Sequence, residues 1–325
     1  MGIHGLNRRT FLAAAALPLA LPALAFPLAG RPVRLIVGYP AGGGTDLQAR
    51  LIGQHLSTLL GAPVVIENRA GAGTMIAANE LARSAPDGHT LMYTPASTIA
   101  QLPHTMLAVK YEPLRDFTPV AQCALGPNVL VLHKSIPANT LAEAIAYARK
   151  NPGELNYVSQ GIGTSAHVFG QMLARQAGVD MVHVPYKGAA DVQKDFVAGR
   201  VHLQFASSSA AQALARSGEV RLLGVVSPKR SELFPELKTM SELGIQGMDL
   251  DTSLGLLGPA QMPPAVVARI SEAARAVIAM PQVQADFRAG GVEPRWAGAA
   301  EYTETIREAY AGWGRLIAAV GYKKQ

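Results

Sequence analysis

Runs of apolar, often β-branched residues alternate with amphipathic stretches along almost the whole chain, the pattern of βα units around mainly parallel sheets. Residues 34–39 read as a short buried strand. Pro40-Ala41-Gly42-Gly43-Gly44 then lead into a helix from about Asp46 to Leu60, which Gly61 stops. Thr45 and Gln48 have capping-box spacing. Residues 64–68 form the next strand, Gly71-Ala72-Gly73 precede a helix through Ala82, and a strand over 90–94 ends at Pro95-Ala96-Ser97. A second block opens with a strand over 129–133. In it Thr140 and Glu143 cap a helix stopped by Asn151-Pro152-Gly153, a strand covers 155–159, and Gln160-Gly161-Ile162-Gly163-Thr164-Ser165 start a helix that runs to about Gly178. A strand over 180–184, a helix over 190–199 and strands over 201–205 and 222–226 continue the alternation. From about Leu254 a strand-like run reaches Pro263-Pro264, and the amphipathic stretches 265–280, 281–290 and 299–320 are expected to pack back onto the first block. The pattern predicts an α/β fold of two lobes with a central cleft, one lobe from 26–127 plus 252–325 and the other from 128–251.

Composition narrows the class. The chain has 325 residues, enough for about two domains, and its 49 % apolar and 16 % charged content, without a charge block or repeat, excludes disorder and solenoid arrays. A single cysteine, Cys123, excludes an internal disulfide framework and any Cys-rich metal site. The formal charge is +6, and two of those charges, Arg8 and Arg9, fall in a leader, leaving +4. The remaining Lys and Arg are scattered singly, without the basic stripe that a nucleic acid partner would need.

The leader is read from residues 1–25. Arg8-Arg9-Thr10-Phe11-Leu12 precede an apolar run, and Ala23-Leu24-Ala25 supply the small residues that signal peptidase accepts. The paired arginines fit a twin-arginine signal, with a Sec signal as the alternative. Pro18, Pro22 and Pro27 argue against an uncleaved membrane anchor. The mature protein is expected in the periplasm.

Several catalytic motifs fail on inspection. Gly161-x-Gly163-x-x-Ala166 matches a dinucleotide fingerprint, but the nearby acid, Asp180, begins its strand, whereas a ribose-binding acid ends one. Gly42-Gly43-Gly44-Thr45-Asp46 lacks the Gly-Lys-Ser/Thr of a phosphate loop, no Gly-x-Ser-x-Gly occurs, and the histidines have no zinc-protease spacing. What remains is binding chemistry. Helix N-termini at Thr45, Ser97 and Thr164 offer free backbone N–H groups and the positive end of a dipole, which suits a carboxylate. All three follow strands, and ligands of α/β folds bind at strand carboxyl ends.

The chain resembles the extracytoplasmic solute receptors of the tripartite tricarboxylate transporters, the Bordetella uptake gene family. The resemblance runs through Arg34-Leu-Ile-Val-Gly-Tyr-Pro-Ala-Gly-Gly-Gly-Thr-Asp46, Val65-Ile-Glu-Asn-Arg-Ala-Gly-Ala-Gly73, Ala85-Pro-Asp-Gly-His-Thr-Leu91, Pro127-Asn-Val-Leu130, Asn151-Pro-Gly-Glu-Leu-Asn-Tyr157, Gly161-Ile-Gly-Thr164 with His167, and His183-Val-Pro-Tyr-Lys-Gly188. It implies a two-lobed periplasmic binding protein of type 2, the Venus flytrap kind, closing over a small carboxylate without catalysis, cofactor or metal. A monomer that serves an inner-membrane permease or a sensor is expected, with a secreted α/β enzyme acting on a carboxylate as the alternative. The resemblance assigns ligand contact to Tyr39, Ala41, Gly43, Gly44, Thr45 and Asp46 on one loop and to Ser159, Gly163, Thr164, Ser165 and His167 on the facing one. Thr94, Ala96 and Ser97 match a third loop, and Tyr186 with Lys187 lies near a strand end of the second lobe. One departure stands out: where relatives often carry an acid, this chain has Ala206-Ser207, which implies a plain or aromatic acid rather than an amino acid, with Ser207 in the lining.

Overall fold

The computed structural model describes residues 30–186, 189–250 and 252–325. The leader, Lys187 and Asp251 lie outside the described residues. In chain order, β1 (Val33–Val37) leads into α1 (Gly44–Leu60), β2 (Val64–Asn68) into α2 (Met75–Ala82) and β3 (Thr90–Pro95) into α3 (Ala96–Thr105), before the single turn α4 (Pro113–Asp116) and β4 (Phe117–Leu125). Next come β5 (Asn128–His133), α5 (Leu141–Lys150), β6 (Asn156–Ser159), α6 (Ser165–Ala177), β7 (Val182–Pro185), α7 (Ala189–Val197), β8 (Leu203–Ser207), α8 (Ser208–Ser217) and β9 (Val220–Val226). The chain ends with β10 (Ser253–Pro259), α9 (Pro264–Ile278), α10 (Pro281–Ala289), β11 (Glu293–Gly298) and α11 (Ala299–Val320).

These strands make two sheets. One has the order β11-β4-β10-β3-β1-β2 and the other β7-β6-β8-β5-β9. Both are mixed, which corrects the expectation of mainly parallel sheets: β1 runs parallel to β2 and β3, and β6 to β7 and β8, while β10, β11, β5 and β9 pair antiparallel. The antiparallel members include β4 and β11, which the hydropathy pattern does not reveal. Pro119 interrupts β4, and Pro294 sits in β11, where an edge strand tolerates a residue without an N–H.

The strand residues Val33, Leu35 and Val37 bury one face of the first sheet against Ile52 and Leu56 of α1, Ile270 of α9 and Phe287 of α10. Its other face, with Ile36, Met92 and Leu257, packs on Ile99 of α3 and on Tyr302 and Ile306 of α11. Gly255 of β10 permits that second contact, since an added Cβ would lie 2.3 Å from the Ala121 carbonyl and 2.7 Å from the Tyr302 ring. In the second sheet Leu130, Leu132, Leu203 and Phe205 bury one face together with Phe169 of α6.

The C-terminal half of α11 belongs to this second core. Trp313, fully buried, stacks on Phe169 with ring centroids 5.3 Å apart, and Leu316 and Ile317 lie beside it. The stretch 299–320 therefore packs only in part onto the first block. Its apolar stripe is long enough to serve both sheets in turn, and α11 stitches them together.

Candidate functional site

Parallel neighbours bring their following helices side by side. Because β1 adjoins β3, the N-termini of α1 and α3 emerge together, and because β6 adjoins β8, so do those of α6 and α8. Helix α1 starts at Gly44 with Gly43 as an N-cap that has no side chain to offer. The expected capping box is thus absent: Thr45 lies inside the helix, and the Gln48 Oε1 accepts from the Tyr93 hydroxyl at 3.0 Å. The first turn-closing bond of α1 runs from Leu47 N to Gly43 O at 3.0 Å, so the amides of Gly44, Thr45 and Asp46 have no partner within the helix. In α6 the corresponding bond joins Val168 N to Thr164 O at 3.1 Å, and the amides of Ser165, Ala166 and His167 are in the same position. Each end carries about half a positive elementary charge.

The loop before α1 is held from inside. The buried Asp46 carboxylate accepts from Gly42 N at 2.8 Å, Arg50 Nε at 2.9 Å and Asn68 Nδ2 at 2.9 Å. Burial by itself would raise its pKa, but the bonds from Arg50, Gly42 and Asn68 outweigh burial and hold the carboxyl below its ordinary value. All of this fixes the loop's shape and leaves the carboxylate turned into it, contrary to the expectation that Asp46 meets a ligand. Asp46→Asn is expected to cost on the order of 1 kcal/mol in urea unfolding near neutral pH. A carboxyl with a depressed folded pKa stabilises above its unfolded value and loses that contribution as pH falls through the folded one. The variant should therefore unfold with less acid sensitivity below about pH 4.

The second loop rests on imidazoles. Gly163 N donates to His167 Nδ1 at 3.1 Å, and the Ser159 hydroxyl, 2.8 Å from His183 Nε2, donates to Gly161 O at 2.9 Å. Thr164 closes the turn through its own hydroxyl, 2.8 Å from Gly161 O.

Contacts across the cleft form a ring. Tyr39 Oη lies 2.9 Å from Thr98 Oγ1 on α3. Burial holds the Tyr39 phenol above its ordinary range, so it stays neutral. Three residues further along α3, the buried Gln101 reaches the other lobe: its Nε2 donates to Gly163 O at 2.5 Å, and its Oε1 accepts from the Ser165 hydroxyl at 2.6 Å. From α6 the ring passes through β6 and β8 to α8, whose N-cap Ser207 accepts from Ala210 N at 3.3 Å. It closes at Gly44, where an added Cβ would lie 3.2 Å from Ser209 Oγ.

Of the residues expected to line the cleft, the structure brings Tyr39, Gly43, Gly44, Thr45, Ser97, Gly163, Thr164 and Ser165 to these facing helix starts. Ala41 sits exposed at the loop tip, and Thr94 at the end of β3 and Ala96 at the start of α3 are fully buried. Ser159 and His167 stand behind the second loop as supports. Tyr186 is a correction: its hydroxyl donates to Asp195 Oδ2 at 2.7 Å and its ring packs on the far side of the sheet, while its backbone adjoins the loop through its N–H to Ser159 O at 2.9 Å and its carbonyl near Gly161. Ala206 is likewise buried among Val129, Val131 and Leu214 under α8, so the departure there changes a core position rather than the cleft wall. Gln101, Thr98 and Ser209 escape sequence reasoning, since polar residues in a helix carry no signal of what they face. Among the described residues, no cluster of three or more His, Cys, Asp or Glu could hold a metal, and no helix is long and apolar enough to cross a membrane.

Two α/β lobes that offer paired helix N-termini to one cleft place the protein in the two-lobed class of periplasmic solute-binding proteins. Its family follows from the sequence match. Residues 48–322 fit the model of the tripartite tricarboxylate transporter family receptor, and the chain belongs to that family, which includes the Bug proteins. Among solved structures, the periplasmic binding protein BugD superposes with a TM-score of 0.80 at 30 % identity, covering 91 % of this chain and 99 % of that one. A Rhodopseudomonas palustris protein, Rpa4515 with adipate, gives 0.82 at 31 % identity over 91 % and 99 % of the two chains. MatC (Rpa3494) of the same organism, with bound malate, gives 0.78 at 28 % identity over 89 % and 99 %. The family and these neighbours are solute-binding proteins, not enzymes.

Proposed function

We propose that the protein is an exported periplasmic receptor that closes two lobes, 26–127 plus 252–325 and 128–251, over a small carboxylate and hands it to a tripartite-type permease or to a signalling partner. One observation carries the reading: the first-turn amides of α1 and α6 lie on opposite lobes without partners inside their helices, and no arginine or lysine is needed to receive an anion there. The adipate and malate held by related proteins support an acid as cargo. Thr45, Ser97, Thr164 and Ser165 add hydroxyls to the lining, and Ser207 and Ser209 approach from α8. Closure is a population shift set by the ligand's preference for the closed form. Backbone amides recognise carboxylates generically, so cleft size and water placement select among acids.

A thermal-shift screen of the purified, ligand-free monomer against dicarboxylates, tricarboxylates, aromatic acids, amino acids and NAD tests this. An acid at about 100 times its Kd adds roughly 2.7 kcal/mol, a shift of several degrees for a chain of this size. A selective shift with one class of acid is expected. Silence from every acid would remove the carboxylate reading.

A further inference from the structure

Behind the second loop lies a stack of four rings. His167 and His183 are parallel within 9°, with centroids 4.0 Å apart. Tyr157 covers the outer face of His183 at 4.8 Å, and Tyr322, just past α11, meets His167 edge-on at 5.6 Å. Each imidazole also holds one end of the loop. His167 must keep Nδ1 bare to accept from Gly163 N, which makes it the Nε2–H tautomer. Ser159 gives its own proton to Gly161 O, so it receives one from His183 Nε2, again the Nε2–H tautomer.

We infer that His167 and His183 are positioning residues whose brace on loop 161–164 requires a neutral His167, so that solute capture is proton-linked and weakens in acid. The inference rests on the carboxylate reading for its consequence, not for the brace itself. A proton on His167 Nδ1 would set a donor against the Gly163 N–H, and two imidazoliums cannot share a stack 4.0 Å deep. Among the described residues, no carboxylate is hydrogen-bonded or ion-paired to either ring. Around the pair, β6 contributes Tyr157 against His183 and the C-terminal segment Tyr322 against His167. Burial, then His167, pushes His183 down to about 4, and burial lowers His167 as well. Rings with depressed folded values support the loop fully above about pH 6.5 and release it as pH falls toward those values.

The test pairs wild type with His167→Asn/His183→Gln, which keeps an acceptor where Nδ1 stands and a donor where Nε2 stands but cannot titrate. Adipate and malate are titrated against both proteins by calorimetry at about pH 7 and about pH 4.5, and the ratio of wild-type to variant affinity is expected to fall about threefold or more at the lower pH. The comparison cancels the ligand's own protonation. Equal pH profiles, or wild-type affinity that gains on the variant in acid, would overturn the proposal. Nitrogen-15 imidazole spectra of ligand-free wild type decide the brace independently: both rings should be Nε2–H tautomers that titrate below the ordinary histidine range, and a Nδ1–H tautomer at His167 or an ordinary titration overturns it. If neither acid binds at about pH 7, the carboxylate reading falls while these spectra still decide the brace.

Discussion

Gln101→Met is expected to weaken carboxylate capture by about ten- to a hundredfold, the equivalent of about 1.4 to 2.8 kcal/mol. Methionine keeps the side chain's volume and removes both of its polar ends. The loss would fall on the Gly163 carbonyl and the Ser165 hydroxyl, which Gln101 satisfies at 2.5 and 2.6 Å from the opposite lobe. A buried polar group without its partner costs about 1–3 kcal/mol, whereas the same group facing water costs nothing. The penalty therefore attaches to closure. The ligand-free melting temperature should move much less than the affinity does. Calorimetric titration together with melting curves checks this, and a variant that melts far earlier yet binds normally would assign Gln101 to the fold instead.

Trp313→Ala has the largest expected effect on stability. Removing a fully buried indole leaves a cavity beside Phe169, Leu316 and Ile317, and substitutions of this kind cost about 3–5 kcal/mol. For a chain of this size that is a drop of roughly 6 to 20 °C in melting temperature. Among the described residues Trp313 Nε1 has no hydrogen-bond partner, so Trp313→Phe, which retains an aromatic face without the N–H, should recover most of the loss. Since α11 fills cores under both sheets, Trp313→Ala should also loosen one lobe against the other, and the scattering radius of the variant with ligand should stay above that of wild type with ligand.

Local structure was largely legible in the chain. Gly61 and Gly178 end α1 and α6 in the left-handed conformation their positions suggested, and Thr140 and Glu143 form the expected cap, with Glu143 N donating to Thr140 Oγ1 at 3.2 Å. The strand over 64–68 matches β2 residue for residue. Tertiary roles were less legible, for physical reasons. A 3.6-residue period says that 299–320 has an apolar stripe but not that Tyr302 and Trp313 on it serve different cores. Proline inside β4 and β11 hides strands whose place comes from their neighbours. Within the cleft, the glycine-rich loops and helix starts were readable because turns and caps are local. Gln101 was not, because its meaning lies in a carbonyl 62 residues away. Asp46 and Tyr186 were expected in the lining from the family resemblance. Their hydrogen bonds to Arg50, Asn68 and Asp195 show that one shapes a loop and the other ties down α7.

The claim that facing helix N-termini receive a carboxylate is tested most directly by calorimetric titration of ligand-free protein with adipate, malate and further dicarboxylates, each paired with its neutral diamide. One acid should bind a single site per chain, and its diamide should release no heat, because only the charged form gains from unpartnered amides at the positive ends of α1 and α6. A diamide that binds as tightly as its acid would contradict the mechanism, and protein that takes up none of the acids would contradict the carboxylate receptor itself.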